Sequence, residues 1–209
     1  MRSDDRELSD FRLVLNELIN ARKYLQNGDP NMALSSLMNQ HLSAPAPYTE
    51  GFAELRRKVV LEAIVGLVKP PENMRPNADE RPFAYLQRLL DRARDASDWQ
   101  AGYTVLTLMQ AVGVKNDKVM MDLTGYRQLV SAANFETAGQ YAGAVQYYLS
   151  SLRFGGPNVP AAEIGRKLKM IKEAHPKEFE IGEKTPEPVS ASPQDPRFRP
   201  GMSPFGNRQ

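Results

Sequence analysis

The chain has 209 residues, 41% of them apolar and 25% charged, with a formal net charge of +2 and no cysteine. That length suits one domain, with or without a tail, and needs no covalent staple. The lack of cysteine excludes a disulfide framework, a thiolate nucleophile and cysteine-ligated zinc, and so small a net charge does not by itself point to a polyanionic partner.

The N-terminal Met1 to Glu7 is charged where an export signal needs an apolar core. No later stretch approaches about 18 uncharged apolar residues. The expectation is a soluble, unexported, cytoplasmic chain without a membrane span.

Over residues 7–26 the apolar positions Leu8, Phe11, Leu15, Leu18 and Leu25 recur at intervals of three and four, which predicts a helix with that stripe inward. Asp4 and Glu7 have the spacing of a capping box for it. Gly28-Asp29-Pro30 closes this helix, and Pro30 opens a second with Ala33, Leu34, Leu37 and Met38 on its apolar side. The two read as an antiparallel hairpin. After Pro45-Ala46-Pro47 a third helix carries Phe52, Leu55, Val59, Ala63 and Leu67; it is so apolar over 59–68 that a central position is expected. Four prolines between 69 and 82 then predict a long irregular connection.

Three further helices are predicted over 80–96, 98–112 and 117 to about 136. The last of these has Val119, Leu123, Tyr126, Val130 and Ala133 in register, and Ser97 and Asn116 stand at cap positions. A seventh helix is expected over 140–154, stopped by Gly155-Gly156-Pro157. An eighth, opened by Pro160, carries Ala161, Ile164, Leu168 and Ile171. No segment alternates with period two, so the fold class is all-α: about eight helices in antiparallel hairpins, an α-solenoid-like bundle. From residue 182 onward six prolines and three glycines fall in 28 positions, too few aliphatic groups to offset chain entropy. The expected organisation is a helical domain over 1–181 and a disordered tail over 182–209.

Gly139-Gln140-Tyr141-Ala142-Gly143-Ala144-Val145-Gln146-Tyr147-Tyr148-Leu149-Ser150-Ser151-Leu152 resembles the second half of a tetratricopeptide repeat, with Ala132 and Phe135 at the matching positions upstream. The resemblance covers residues 125–175. Fainter echoes run from Gly28 to Ala33, with Ala21 and Tyr24 before them, and from Ser97 to Gly102, each with the same five-residue offset from turn to small residue. Ala33 and Gly102 lie 69 residues apart and Gly102 and Ala144 lie 42 apart, so the family's period of about 34 is not kept and the array is divergent. The resemblance implies peptide binding in a groove lined by the first helices of successive repeats. Tyr126 and Thr137 match groove positions in the clearest repeat, and Arg22 and Gln26 in the N-terminal one. Where the best-known variety grips a peptide carboxylate with Lys and Asn, this chain has Tyr126, Leu129 and Ala133, which argues against a carboxylate clamp.

Chemistry-bearing patterns are sparse. His41 and His175 are the only histidines, and neither has a carboxylate or second His at ligand spacing. Asp91 and Asp95 share a face but alternate with Arg88, Arg92 and Arg94, as a solvated ion-pair lattice does. Gly155-Gly156-Pro157 and Gly165-Arg166-Lys167 fail the spacing of a phosphate loop. Trp99, Met109, Met120 and Met121 fit helical spacing and are expected in the core. Arg166, Lys167, Lys169 and Lys172 form a basic stretch that could meet phosphates, diluted by Glu163, Glu173, Glu178 and Glu180. In the tail, Phe198 and Phe205 are spaced like anchors for a partner's groove.

The leading expectation is a non-enzymatic protein-interaction scaffold that needs no cofactor, binds a protein or peptide through a helical groove, and uses the tail as a second tether. The alternatives are a nucleic-acid-associated protein working through the basic stretch, and a self-assembling structural subunit.

Overall fold

The computed structural model describes residues 3–38, 49–112 and 116–185, except for the side chains of residues 3–8 and Met38. These residues form nine α-helices and no strand: α1 (Ser3–Gln26), α2 (Pro30–Met38), α3 (Thr49–Val68), α4 (Pro82–Asp95), α5 (Trp99–Ala111), α6 (Asp117–Thr137), α7 (Tyr141–Phe154), α8 (Ala161–Ala174) and α9 (Pro176–Lys184). A single 3-10 turn, Glu72–Met74, interrupts the Pro-rich connection before α4. The all-α class holds, with one helix more than expected. The additional helix follows His175, whose non-helical backbone (φ −137°, ψ 59°) ends α8 because the next residue, Pro176, disfavours the helical conformation before it; Pro176 itself then starts α9.

The chain divides into two compact units, one formed by residues 1–87 with 111–114 and the other by residues 88–110 with 115–209. In the first, α1 packs on α2, α2 on α3, and α1 also meets α3, the sequential pairing of a solenoid-like bundle. Its core joins Val14, Leu18 and Ala21 of α1 to Ala33, Leu34 and Leu37 of α2 and to Val59, Ala63, Ile64 and Leu67 of α3. The buried side of α1 is therefore rotated from the expected stripe, and Leu15 faces out at 38% exposure. Positions 11, 14, 18, 21 and 25 and positions 12, 15, 19, 22 and 26 keep the same alternating intervals of three and four, and packing selects the first series because all of its members are apolar. Close approach of α2 and α3 rests on Gly66, where an added Cβ would stand 3.0 Å from Pro30 Cβ.

The irregular connection is held by Arg57 of α3. Its guanidinium makes a two-pronged pair with Glu54 (2.6 and 2.7 Å) and donates to the carbonyl oxygens of Ala78 (2.7 Å) and Glu80 (2.8 Å). The Arg57 hydrogen bonds draw the Glu54 carboxyl down to about 2, with Lys58 adding to the effect.

In the second unit α6 and α7 form the most extensive pair, α9 lies along α7, and α8 meets both α7 and α9. Fully buried Tyr126, Leu129 and Ala132 of α6 face Ala144, Val145 and Tyr148 of α7, with Ile164, Ile171 and Phe179 contributed by the last two helices. Gly182 brings α9 against α7: a Cβ there would lie 2.5 Å from the Ala142 oxygen and 2.8 Å from Val145 Cβ. Helical order thus runs to Lys184. Of the residues expected in the core, Trp99 and Met109 are buried, whereas Met120 and Met121 are exposed. These two precede the buried Asp122 on the outer side of the first turns of α6.

Three helix-to-helix turns share one backbone design. At Gly28, Ser97 and Gly139 the chain takes a positive φ of 76°, 54° and 71°. The following amide reaches back five residues each time: Asp29 N to Tyr24 O (2.9 Å), Asp98 N to Ala93 O (2.8 Å) and Gln140 N to Phe135 O (2.9 Å). This is the Schellman closure, and the next helix then starts with its small residue, Ala33, Gly102 or Ala144, buried at the same offset. Asp29 and Asp98 also cap that next helix by accepting from Met32 N (3.0 Å) and Ala101 N (2.9 Å). Ser97 is the strained member because its Cβ crowds the left-handed region. Ser97→Gly is expected to raise stability by about 0.5–1 kcal/mol, read as a higher urea midpoint with an unchanged slope; no gain would mean that Ser97 is already relaxed by its surroundings.

Candidate functional site

The residues singled out in the sequence fall in three environments. Tyr126 requires correction as a groove residue, because its ring is fully buried. It packs edge-on to Trp99 at 6.3 Å in the space left by Gly102, and its hydroxyl donates to the Asn158 oxygen at 3.3 Å. Burial pushes the phenol up to about 12. Thr137 is exposed at the end of α6, and its hydroxyl donates to the Ala133 oxygen at 2.8 Å. Phe198 and Phe205 lie outside the described residues, as does His41.

The basic stretch on α8 is largely neutralised where it stands. Arg166 pairs with Glu163 and Lys169 with Glu173 at 3.9 Å. Lys172 sits over the Phe179 ring at 5.2 Å. Lys167 turns inward to Glu136 at 3.0 Å and 3.3 Å. The same carboxylate accepts the Tyr148 hydroxyl at 2.6 Å, and burial followed by Glu136 keeps that phenol protonated well above its ordinary range. A tyrosine donating to a carboxylate that is already held by lysine locks α6, α7 and α8 together; it is poorly placed to act as a base on a ligand.

A second polar cluster joins α6 to the loop after α7. The buried Asp122 accepts from Asn158 N (2.8 Å) and Asn158 Nδ2 (2.7 Å), and Ser151 donates to the Gly125 oxygen at 3.0 Å. Both carboxylate oxygens are engaged, so this cluster is also a latch. Between α7 and α9 a cleft of about 260 Å³ is lined by Gln146, Leu149, Ser150, Arg153, Gly182, Glu183 and Thr185. Tyr141 stacks on His175 at 3.7 Å, which seats the break between α8 and α9. Among the described residues, no group of three or more His, Asp and Glu could hold a metal ion, and no helix is long and apolar enough to cross a membrane.

Arg22 and Gln26 are exposed on α1, and the structure adds two neighbours that periodicity had assigned to the core side or passed over. Leu15 (38% exposed) and Ile19 (44%) continue the same line, and 15, 19, 22 and 26 follow intervals of four, three and four. They form a surface ridge beside the buried seam. Arg12 and Lys23 flank the ridge and are also exposed. The signal that could have found it is the second apolar series on α1, overlooked because one helix was expected to show one stripe.

No family model, no curated protein and no solved structure matches this chain.

Proposed function

We propose that the chain is a non-enzymatic interaction module, a divergent tetratricopeptide-like scaffold that binds a protein segment on the outer ridge of α1. The observation that carries the reading is the apolar pair Leu15 and Ile19, exposed and continuous with Arg22 and Gln26, the positions where the resemblance implies a groove. Further support comes from the three turns of common design and from the small residues Ala33, Gly102 and Ala144 buried after them. Residues 186–209, with Phe198 and Phe205, enter the same proposal as a second tether, and a cytoplasmic setting accompanies it. Nucleic-acid binding through α8 is the weaker reading, since Arg166, Lys167 and Lys169 are already paired with carboxylates.

A photo-crosslinking residue placed at Gln26, with a control at Glu173 of α8, tests the proposal in cells. A discrete protein adduct formed at Gln26 and absent at Glu173 is the expected result. Equal labelling at both positions, or none at Gln26, would remove α1 as the binding element.

A further inference from the structure

Building on the interaction-module reading, we infer that the partner is an acidic protein segment with two apolar anchors, held on α1 by Leu15, Ile19, Arg12, Arg22 and Lys23. The inference comes from how charge is distributed around this helix. At about 100° per residue, Arg12, Leu15, Ile19, Arg22, Lys23 and Gln26 fall within an arc of about 100°. From Ser9 to Gln26 the only acidic residues are Asp10 and Glu17, which fall on the opposite side. Arg12, Arg22 and Lys23 are exposed, and none of them forms an ion pair with a described residue. The α8 cations, by contrast, are compensated internally. From residue 9 to residue 26 the α1 arc therefore keeps an outward positive field around a small apolar centre.

Such a surface complements carboxylates flanking leucine-like side chains. Guanidinium groups bind carboxylates through two parallel hydrogen bonds, and the aliphatic contact between them excludes water that would screen the charges. Arg12 and Lys23 are separated by about 16 Å along the helix, which suits a segment of about ten helical or five extended residues. A membrane surface fits less well, because the broad apolar side of α1 is turned into the core and the three exposed aliphatic groups do not form one face: Leu15 and Ile19 lie on the arc and Leu13 well round the helix from them. Single-stranded nucleic acid fits less well too, because the arc carries no aromatic ring on which bases could stack.

Peptide display selected against the full chain supplies the probe. Enriched sequences are expected to place Asp or Glu on either side of Leu, Ile or Phe, and a synthetic consensus peptide should bind with an affinity that falls steeply with salt. Arg22→Glu and Ile19→Asp should each weaken that peptide about tenfold or more, with unchanged helical circular dichroism, while Arg166→Glu and Lys169→Glu leave it unaltered. A peptide with Lys in place of its critical Glu should recover binding to Arg22→Glu. Enriched peptides without acidic residues, or indifference to Arg22→Glu, would overturn the acidic-partner inference and leave the interaction module standing. Failure to enrich any sequence would overturn both, as would retention on phosphatidylserine vesicles or duplex DNA, abolished by Arg22→Glu, in place of peptide binding.

Discussion

Tyr126→Ala is expected to destabilise the second unit by about 3–5 kcal/mol, the range for removing a fully buried aromatic ring. The ring fills the depression over Gly102, meets Trp99 edge-on and reaches Asn158 with its hydroxyl, so its loss opens a cavity among elements that cannot collapse independently. The complementary change, Gly102→Val, drives a branched side chain into the space the ring occupies and should cost about 1–3 kcal/mol. Made together, the two should cost less than their sum, because the valine enters volume vacated by the tyrosine. Tyr126→Phe, which keeps the ring and forfeits only the 3.3 Å hydrogen bond, should cost about 1 kcal/mol or less. Trp99 is the single tryptophan and touches the Tyr126 ring, so urea unfolding followed by its fluorescence reports on this contact. Strict additivity of Gly102→Val and Tyr126→Ala would show that the two positions do not share a space.

The same contact shows where sequence reasoning about α6 stopped. The register of Val119, Tyr126 and Ala133 along one helix identifies α6 but cannot say whether position 126 faces a groove or the interior. That choice is made by Gly102, on another helix, whose missing side chain leaves a recess of ring size. Elements whose ends are marked by local chemistry were legible in advance. The five-residue offset from Gly28, Ser97 and Gly139 to a small residue reflects a backbone closure that depends on neighbouring residues alone.

On α1 two apolar series compete, one through Leu18 and Ala21 and one through Leu15 and Ile19, and only the tertiary partners α2 and α3 decide which is buried. The candidate site was therefore half visible: Arg22 and Gln26 through resemblance, Leu15 and Ile19 only after the seam had been chosen. Neutralisation of the α8 cations divides in the same way. The spacings of Glu163 to Arg166 and Lys169 to Glu173 are those of pairs on one helix turn, whereas Lys167 finds Glu136 across 31 positions. Pro176 reads as a stop because the residue before a proline leaves the helical region, yet the same ring is well suited to the first turn of α9.

Asp122→Ala is expected to cost about 2–4 kcal/mol, since it strands two donors of Asn158 at once. The carboxylate is buried beneath the loop between α7 and α8 and takes the Asn158 backbone N–H at 2.8 Å and its side-chain amide at 2.7 Å. The loop backbone rests so closely on Asp122 that a Cβ at Gly156 would stand 2.5 Å from Oδ1, which ties the glycine to the acid. Asn158→Ala, which loses the side-chain donor but keeps the backbone bond, should cost about half as much. Hydrogen exchange gives the local reading: in Asp122→Ala the Asn158 amide should lose its protection, while amides in the centre of α7 change only as global stability does. The competing account is apolar, with Val159 wedged against Gly125 and Gly155. If that wedge holds the loop, Asp122→Ala would leave Asn158 protected and Val159→Ala would release it; if the carboxylate holds it, the order is reversed.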